Sequence, residues 1–187
     1  VELNRLPGGL LEINRTISMQ DPAHPTKQTQ PHAHWMGFDG HHMVTPNSNS
    51  ADSTLYEFTG INTGRVLAKH DTGAVSIAAG MMPDSSKYYI SNYLGHSISA
   101  MNGPTVLTNY TGTGGLKGAG PYAPGEKIKD ISLIPVYDPV LGCQVINNEN
   151  TCVDGLIGGL PVQVPVSPDG KFAITGNTLG GTISIID

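Results

Sequence analysis

The chain has 187 residues and a mass of 19.6 kDa, enough for one core of ordinary size and so for one domain or part of one. Only 13% of the residues are charged, the net charge is −5, and there are 24 glycines and 14 prolines. That balance argues against nucleic acid as a partner, while Ile, Val, Thr and Tyr in short runs bounded by turn formers argue against disorder and for an all-β chain.

The first predicted run is "LEINRTISM" from Leu11, followed by "HAHWMGF" from His32, a turn led by Asp39, a run ending near Thr45, an Asn-containing loop and a run from Thr54 to Phe58. The same grammar returns with "GRVLAKHD", "VSIAAGMM", a turn at Asp84, a run ending near Ser91 and another from Ser97 to Met101. A third round has "DISLIPVYD", "PVQVPVS", a turn at Asp169, a run ending near Thr175 and another from Thr182 to Ile186. Four antiparallel strands per round make one propeller blade. The expected units are 10–58, 64–102 and 129–187. Asp39 and Asp84 are 45 residues apart and Asp84 and Asp169 are 85 apart, so the third unit carries about 40 extra residues. They are assigned to insertions at 103–129 and 138–161. No stretch approaches the roughly 20 apolar residues of a membrane-spanning helix, and no basic-plus-apolar leader opens the sequence, so Val1 reads as a mature terminus or an internal cut.

The strings "SPDGKFAITGNTLGGTISIID" and "YISNYLGHSISAMN" resemble the YVTN family of β-propeller repeats over most of residues 33–187. Repeats of this kind are similar to the propellers of surface-layer proteins, of lactonases, and of two periplasmic nitrogen-oxide reductases, nitrous oxide reductase and cytochrome cd1 nitrite reductase. The resemblance implies a β-propeller of which this chain supplies about three blades. Closed propellers need about 4 to 8, so the remaining blades or another protein chain are expected to complete the ring.

Aligned on the turn aspartates, His32 and His34 stand where the second unit has Ile77 and Ala79 and the third has Val162 and Val164. Strand alternation sends both to one face, with Met36 and Phe38 continuing the row. An imidazole buried where a sister unit buries an aliphatic side chain needs a hydrogen bond or a metal. His24, His70 and His96 fall at the same end of their units, so a metal site on one rim would draw on His32, His34, His24, His70 and His96. Imidazole with thioether suits copper, and imidazole with an open position suits haem iron or zinc. Resemblance to the two reductases implies copper or haem, although no ligand motif carries over and covalent haem attachment through CxxCH is absent. His41 and His42 lie about 20 Å further along the strand and read as a solvated turn. Asp39, Asp84 and Asp169 recur in all three units, which suits capping of the turn backbone rather than catalysis. Trp35 reads as packing.

Cys143 and Cys152, the only cysteines, are expected to pair across "GCQVINNENTC", a bond that forms in oxidising compartments, hence the periplasm or the cell exterior. Two functions fit: a redox propeller carrying copper or haem on a histidine-rich rim, or a non-catalytic scaffold, surface or docking module. A lactonase-like hydrolase lacks an acid cluster, and no catalytic residue is assigned.

Overall fold

A computed structural model describes residues 1–20, 25–59, 64–104, 123–146, 150–153 and 159–187. A short hairpin comes first, β1 (Glu2–Arg5) and β2 (Leu11–Arg15). Two four-stranded antiparallel sheets follow: β3 (Trp35–Met36), β4 (His42–Asn47), β5 (Asp52–Glu57) and β6 (Arg65–Asp71), then β7 (Ser76–Met81), β8 (Lys87–Asn92), β9 (Ser97–Asn102) and β10 (Lys127–Ser132). A small hairpin, β11 (Val136–Asp138) with β12 (Cys143–Val145), precedes β13 (Ala173–Asn177) and β14 (Thr182–Ile186). The chain is all-β, an arc of a propeller with two complete blades and a third built on β13 and β14.

The sheets do not coincide with the sequence units. "GRVLAKHD", expected to open the second unit, is β6 and closes the first sheet against β5. Likewise "DISLIPVYD" divides, its first half closing the second sheet as the end of β10 and its second half forming β11. Strands consecutive in sequence tend to pair, so β6 folds back onto β5 across a short connection and β10 onto β9 across the long stretch 103–126. The boundaries at 10–58, 64–102 and 129–187 therefore run one strand out of phase with the sheets. β10 also starts inside the stretch expected to be insertion. The central part of that insertion, 105–122, lies outside the described residues.

Sister positions in the three units share unusual geometry. The turn between the second and third strands holds a residue at positive φ each time: Ala51 at 53°, His96 at 50° and Gly181 at 61°. The last residue of each second strand is a buried asparagine whose Nδ2 donates to side chains five and seven residues on. Asn47 reaches Asp52 Oδ1 (2.6 Å) and Thr54 Oγ1 (3.0 Å), Asn92 reaches Ser97 and Ser99 Oγ (3.0 and 2.9 Å), and Asn177 reaches Thr182 Oγ1 and Ser184 Oγ (3.1 and 2.8 Å). Each asparagine clips its hairpin shut from inside.

The first strand of every unit is irregular in the same way. Pro31 pairs with Asn47, but Trp35 pairs with Val44, which leaves one extra residue between them. The second unit shows that slip between Ser76 and Ala78, and the third between Pro161 opposite Asn177 and Val166 opposite Ala173. Proline shortens two of these strands further. Pro46 accepts from His32 N (3.0 Å) but has no N–H to return, and Pro161 and Pro165 interrupt the third. Hence β3 has two residues, and 161–166 touches β13 only by isolated bridges.

Sheets pack face to face. Val44 and Leu55 of the first seal against Ala79, Met81, Tyr88, Ile90 and Met101 of the second, with Trp35 packed alongside. On the far side of the second sheet Ile98 joins Leu133, Val164 and Ala173. Each fully buried aliphatic contributes about 1.5–3 kcal/mol, so these two layers outweigh the exposed ion pairs at well under 1 kcal/mol each. The second sheet and the third unit approach closely at Gly80, where a Cβ would lie 1.9 Å from the Val164 carbonyl oxygen.

Candidate functional site

Three of the expected rim histidines do sit at one end of the sheets, and the structure gives each separate surroundings. His32, His70 and the turn holding His96 are all at the end of the sheets where Asn47 and Asp52 face each other. His32 and His70 occupy one row across the first sheet, linked through Pro46 and Ser53. Three strand spacings separate them, about 14 Å, far beyond the span of one metal's ligands at about 2 Å each. His32 Nδ1 hydrogen-bonds the Ile77 carbonyl oxygen at 3.1 Å, joining the first two sheets. His96 Nδ1 accepts from Leu160 N at 3.2 Å, tying the second sheet to the third unit. His70 borders a cleft of about 80 Å³ with Lys27, Asp52 and Lys69, where Lys69 Nζ lies 3.3 Å from Asp52 Oδ1. His24 lies outside the described residues. Among the described residues no three His, Cys, Asp or Glu side chains converge as metal ligands would.

His32 and His34 do not share a face. The extra residue between the Pro31 and Trp35 pairings reverses the alternation, because a one-residue slip turns every following side chain over. His32 turns to the second sheet, and His34 to the opposite side, where it lines a cavity of about 320 Å³. Met19, Met36, Met43, Tyr56 and Phe58 line the same cavity, which the N-terminal residues Val1 to Leu3 border. The Tyr56 hydroxyl is buried with no hydrogen-bond partner among the described residues, and burial raises its pKa. Repeat alignment singled out His34 and Met36 there. It passed over Met43 and Tyr56 because each has a sister of comparable apolar bulk in the core, Tyr88 and Met101; the remaining cover includes Val1 to Leu3, which precede the first predicted run.

The turn at Asp39 works as expected for its backbone and differently for its side chains. Asp39 Oδ1 accepts from His41 N (2.8 Å) and His42 N (3.1 Å), as Asp84 Oδ1 does from Ser86 N and Asp169 Oδ1 from Lys171 N. His42 is not fully solvated: it is half-buried, its Nδ1 is 2.8 Å from Asp39 Oδ2 and its Nε2 is 3.9 Å from Glu57 Oε2. Burial works to raise the Asp39 pKa, but the hydrogen bonds from His41 and His42 prevail and hold it below the usual value.

Cys143, the first residue of β12, and Cys152, beside the Val153 that bridges back to Gln144, form a disulfide with Cα atoms 5.6 Å apart. No described helix is long and apolar enough to cross a membrane.

No known protein family matches the sequence, and no curated protein matches it either. Solved structures do. Hydrazine synthase of Kuenenia stuttgartiensis superposes with a TM-score of 0.58 at 18% identity, covering 94% of this chain and 36% of that one. A protein from Lactobacillus plantarum superposes at 0.55 and 13% identity, covering 99% and 49%. The β-propeller domain of Myceliophteria thermophila Cps50 (Swd1) matches at 0.42 and 9% identity over 95% and 59%, a likeness too loose to carry weight. The chain thus spans between about a third and a half of the length of the first two. At these identities the likeness extends to the fold alone: this is an arc of β-propeller blades.

Proposed function

We propose that the chain is part of an extracytoplasmic β-propeller that serves as a scaffold, closing into a ring with further blades and presenting its rim loops to a protein partner. The outer face of β13 and β14 carries this reading. Ile183 and Ile185 are 66% and 63% exposed there, whereas the sister residues Ile98 and Ala100 of the second sheet are 0% and 8% exposed beneath the third unit. Phe172 and Ile174 extend the same open apolar face, and a patch of that kind marks an interaction surface. The disulfide supports the periplasm or cell exterior, and the resemblance to YVTN repeats supports ring closure. The 187-residue chain is expected to associate at micromolar concentration and to bind an apolar dye, both weakened by Ile183→Lys with Ile185→Lys. Wild-type chain that stays monomeric and binds no dye would remove this reading.

A second reading, a redox propeller akin to the nitrogen-oxide reductases, is favoured by one observation: His34 shares a cavity with three methionines. Imidazole and thioether together fit copper(I), so His34, Met19, Met36 and Met43 would hold it. The described residues offer haem no comparable set. Copper(I) competition with a chromogenic chelator tests it: tight binding should be lost in His34→Ala, and chelator that keeps all the copper would end the copper reading.

A further inference from the structure

The hairpin β1–β2 has no place in the three units taken as sequence, but the one-strand offset gives it one. "LEINRTISM" precedes the first unit as "GRVLAKHD" precedes the second. Because "GRVLAKHD" forms the outermost strand of the sheet before it, β2 belongs in the outermost place of a sheet preceding β3. β1, its antiparallel partner, then holds the third place, as β5 does beside β6 and β9 beside β10.

We propose that β1–β2 is the outer half of a further blade, and that the cavity beside it is the seat for the inner half. The occupant is an antiparallel β-hairpin of the repeat's own first-and-second-strand kind. It adds to the free edge of β1 and lays an apolar face on His34, Met36 and Met43.

Exposure rises from β5 inward: Tyr56 on β5 is 1% exposed, Met43 on β4 is half-buried and Met36 on β3 is 54% exposed. Val66, opposite Tyr56 on β6, is 38% exposed, so the present cover rests on β5 and leaves the innermost strand bare. In the second sheet the sisters of His34, Met36 and Met43 are Ala79, Met81 and Tyr88, exposed by 2%, 0% and 1% beneath the first sheet. The cover is anchored where an outer half-blade belongs: Arg15, bonded to Glu2 (2.6 Å), reaches the Phe58 carbonyl, and Lys69 on β6 donates to the Met19 carbonyl at 2.6 Å. Among the described residues β1 pairs with β2 alone, so its other edge can accept a strand by augmentation.

This inference rests on the propeller reading, and its test lies at the opposite end of the arc from Ile183, so the two can fail separately. A second copy of residues 72–96 is fused directly ahead of Val1, so that the duplicated strands run into β1 as β7 and β8 run into β9. Peroxide oxidation of Met36 is followed by peptide mapping, with Trp35 fluorescence reporting the unfolding of the original sheets. The expected result is at least a tenfold slower oxidation of Met36 in the extended chain, restored by Met43→Lys in that chain. Met43→Lys in the original chain should leave Met36 oxidising at its original rate. An extended chain in which Met36 oxidises as fast as before overturns the proposal, and so does one whose Trp35 transition is lost, because a filled seat must stabilise.

Discussion

Asn92→Ala should be among the most damaging single polar substitutions in the chain. The Asn92 side chain is fully buried, donates to Ser97 and Ser99 Oγ at 3.0 and 2.9 Å, and accepts from Gly73 N at 2.9 Å. A net hydrogen bond is worth about 1 kcal/mol, so three amount to about 3 kcal/mol, with Gly73 N–H left to find another partner. For a chain of this length that corresponds to a fall in Tm of about 6–12 °C. Asn177→Ala removes two bonds of the same kind, to Thr182 and Ser184, at the open end of the arc, and should cost about 2 kcal/mol. Urea unfolding followed by Trp35 fluorescence and by circular dichroism would measure both. The reasoning fails if Asn92→Ala unfolds within 0.5 kcal/mol of wild type, or if Asn177→Ala is the costlier of the two.

Gly80→Ala would drive a methyl into the Val164 carbonyl. Overpacking of this kind costs about 1–3 kcal/mol and should speed amide exchange at Val162 and Ile174, whose N–H groups bond Gly176 and Pro165 oxygens; unchanged exchange there would show that the strand has room to shift. Asp39 gives a pH dependence with a definite sign. Its folded pKa lies below the ordinary 3.8, so its contribution is complete above that value and is lost as the pH falls through the folded pKa. In unfolding free energies measured from pH 2 to 6, Asp39→Asn should flatten the acid limb, and an unaltered limb would assign it to other carboxylates.

The repeated turns, the recurrent aspartates and the alternating hairpins were legible because strand alternation and turn chemistry are local. What escaped was decided by pairing partners. "GRVLAKHD" looks the same whether it begins one sheet or ends another, and only the hydrogen bonds from β5 assign it. The separation of His32 from His34 was hidden for a related reason: strict alternation assumes an unbroken register, and the slip before Trp35 breaks it. Sister residues gave no warning, because Ile77 and Val162 pass through the same slip with aliphatic side chains for which either face is acceptable. The cavity at His34 was half visible, through the contrast with Ala79 and Val164, and half invisible, since Val1 to Leu3, which border it, precede the first predicted run.

The phase difference between sequence unit and sheet makes neighbouring blades depend on each other covalently. Cutting the backbone at 60, where the primary structure suggests a seam, would strip the first sheet of β6 and leave an unpaired edge on β5. A tandem duplication of one unit, by contrast, delivers the closing strand of the preceding sheet along with three strands of its own. Such a chain can lengthen by whole units with every internal edge still capped, whereas a break between units must expose one.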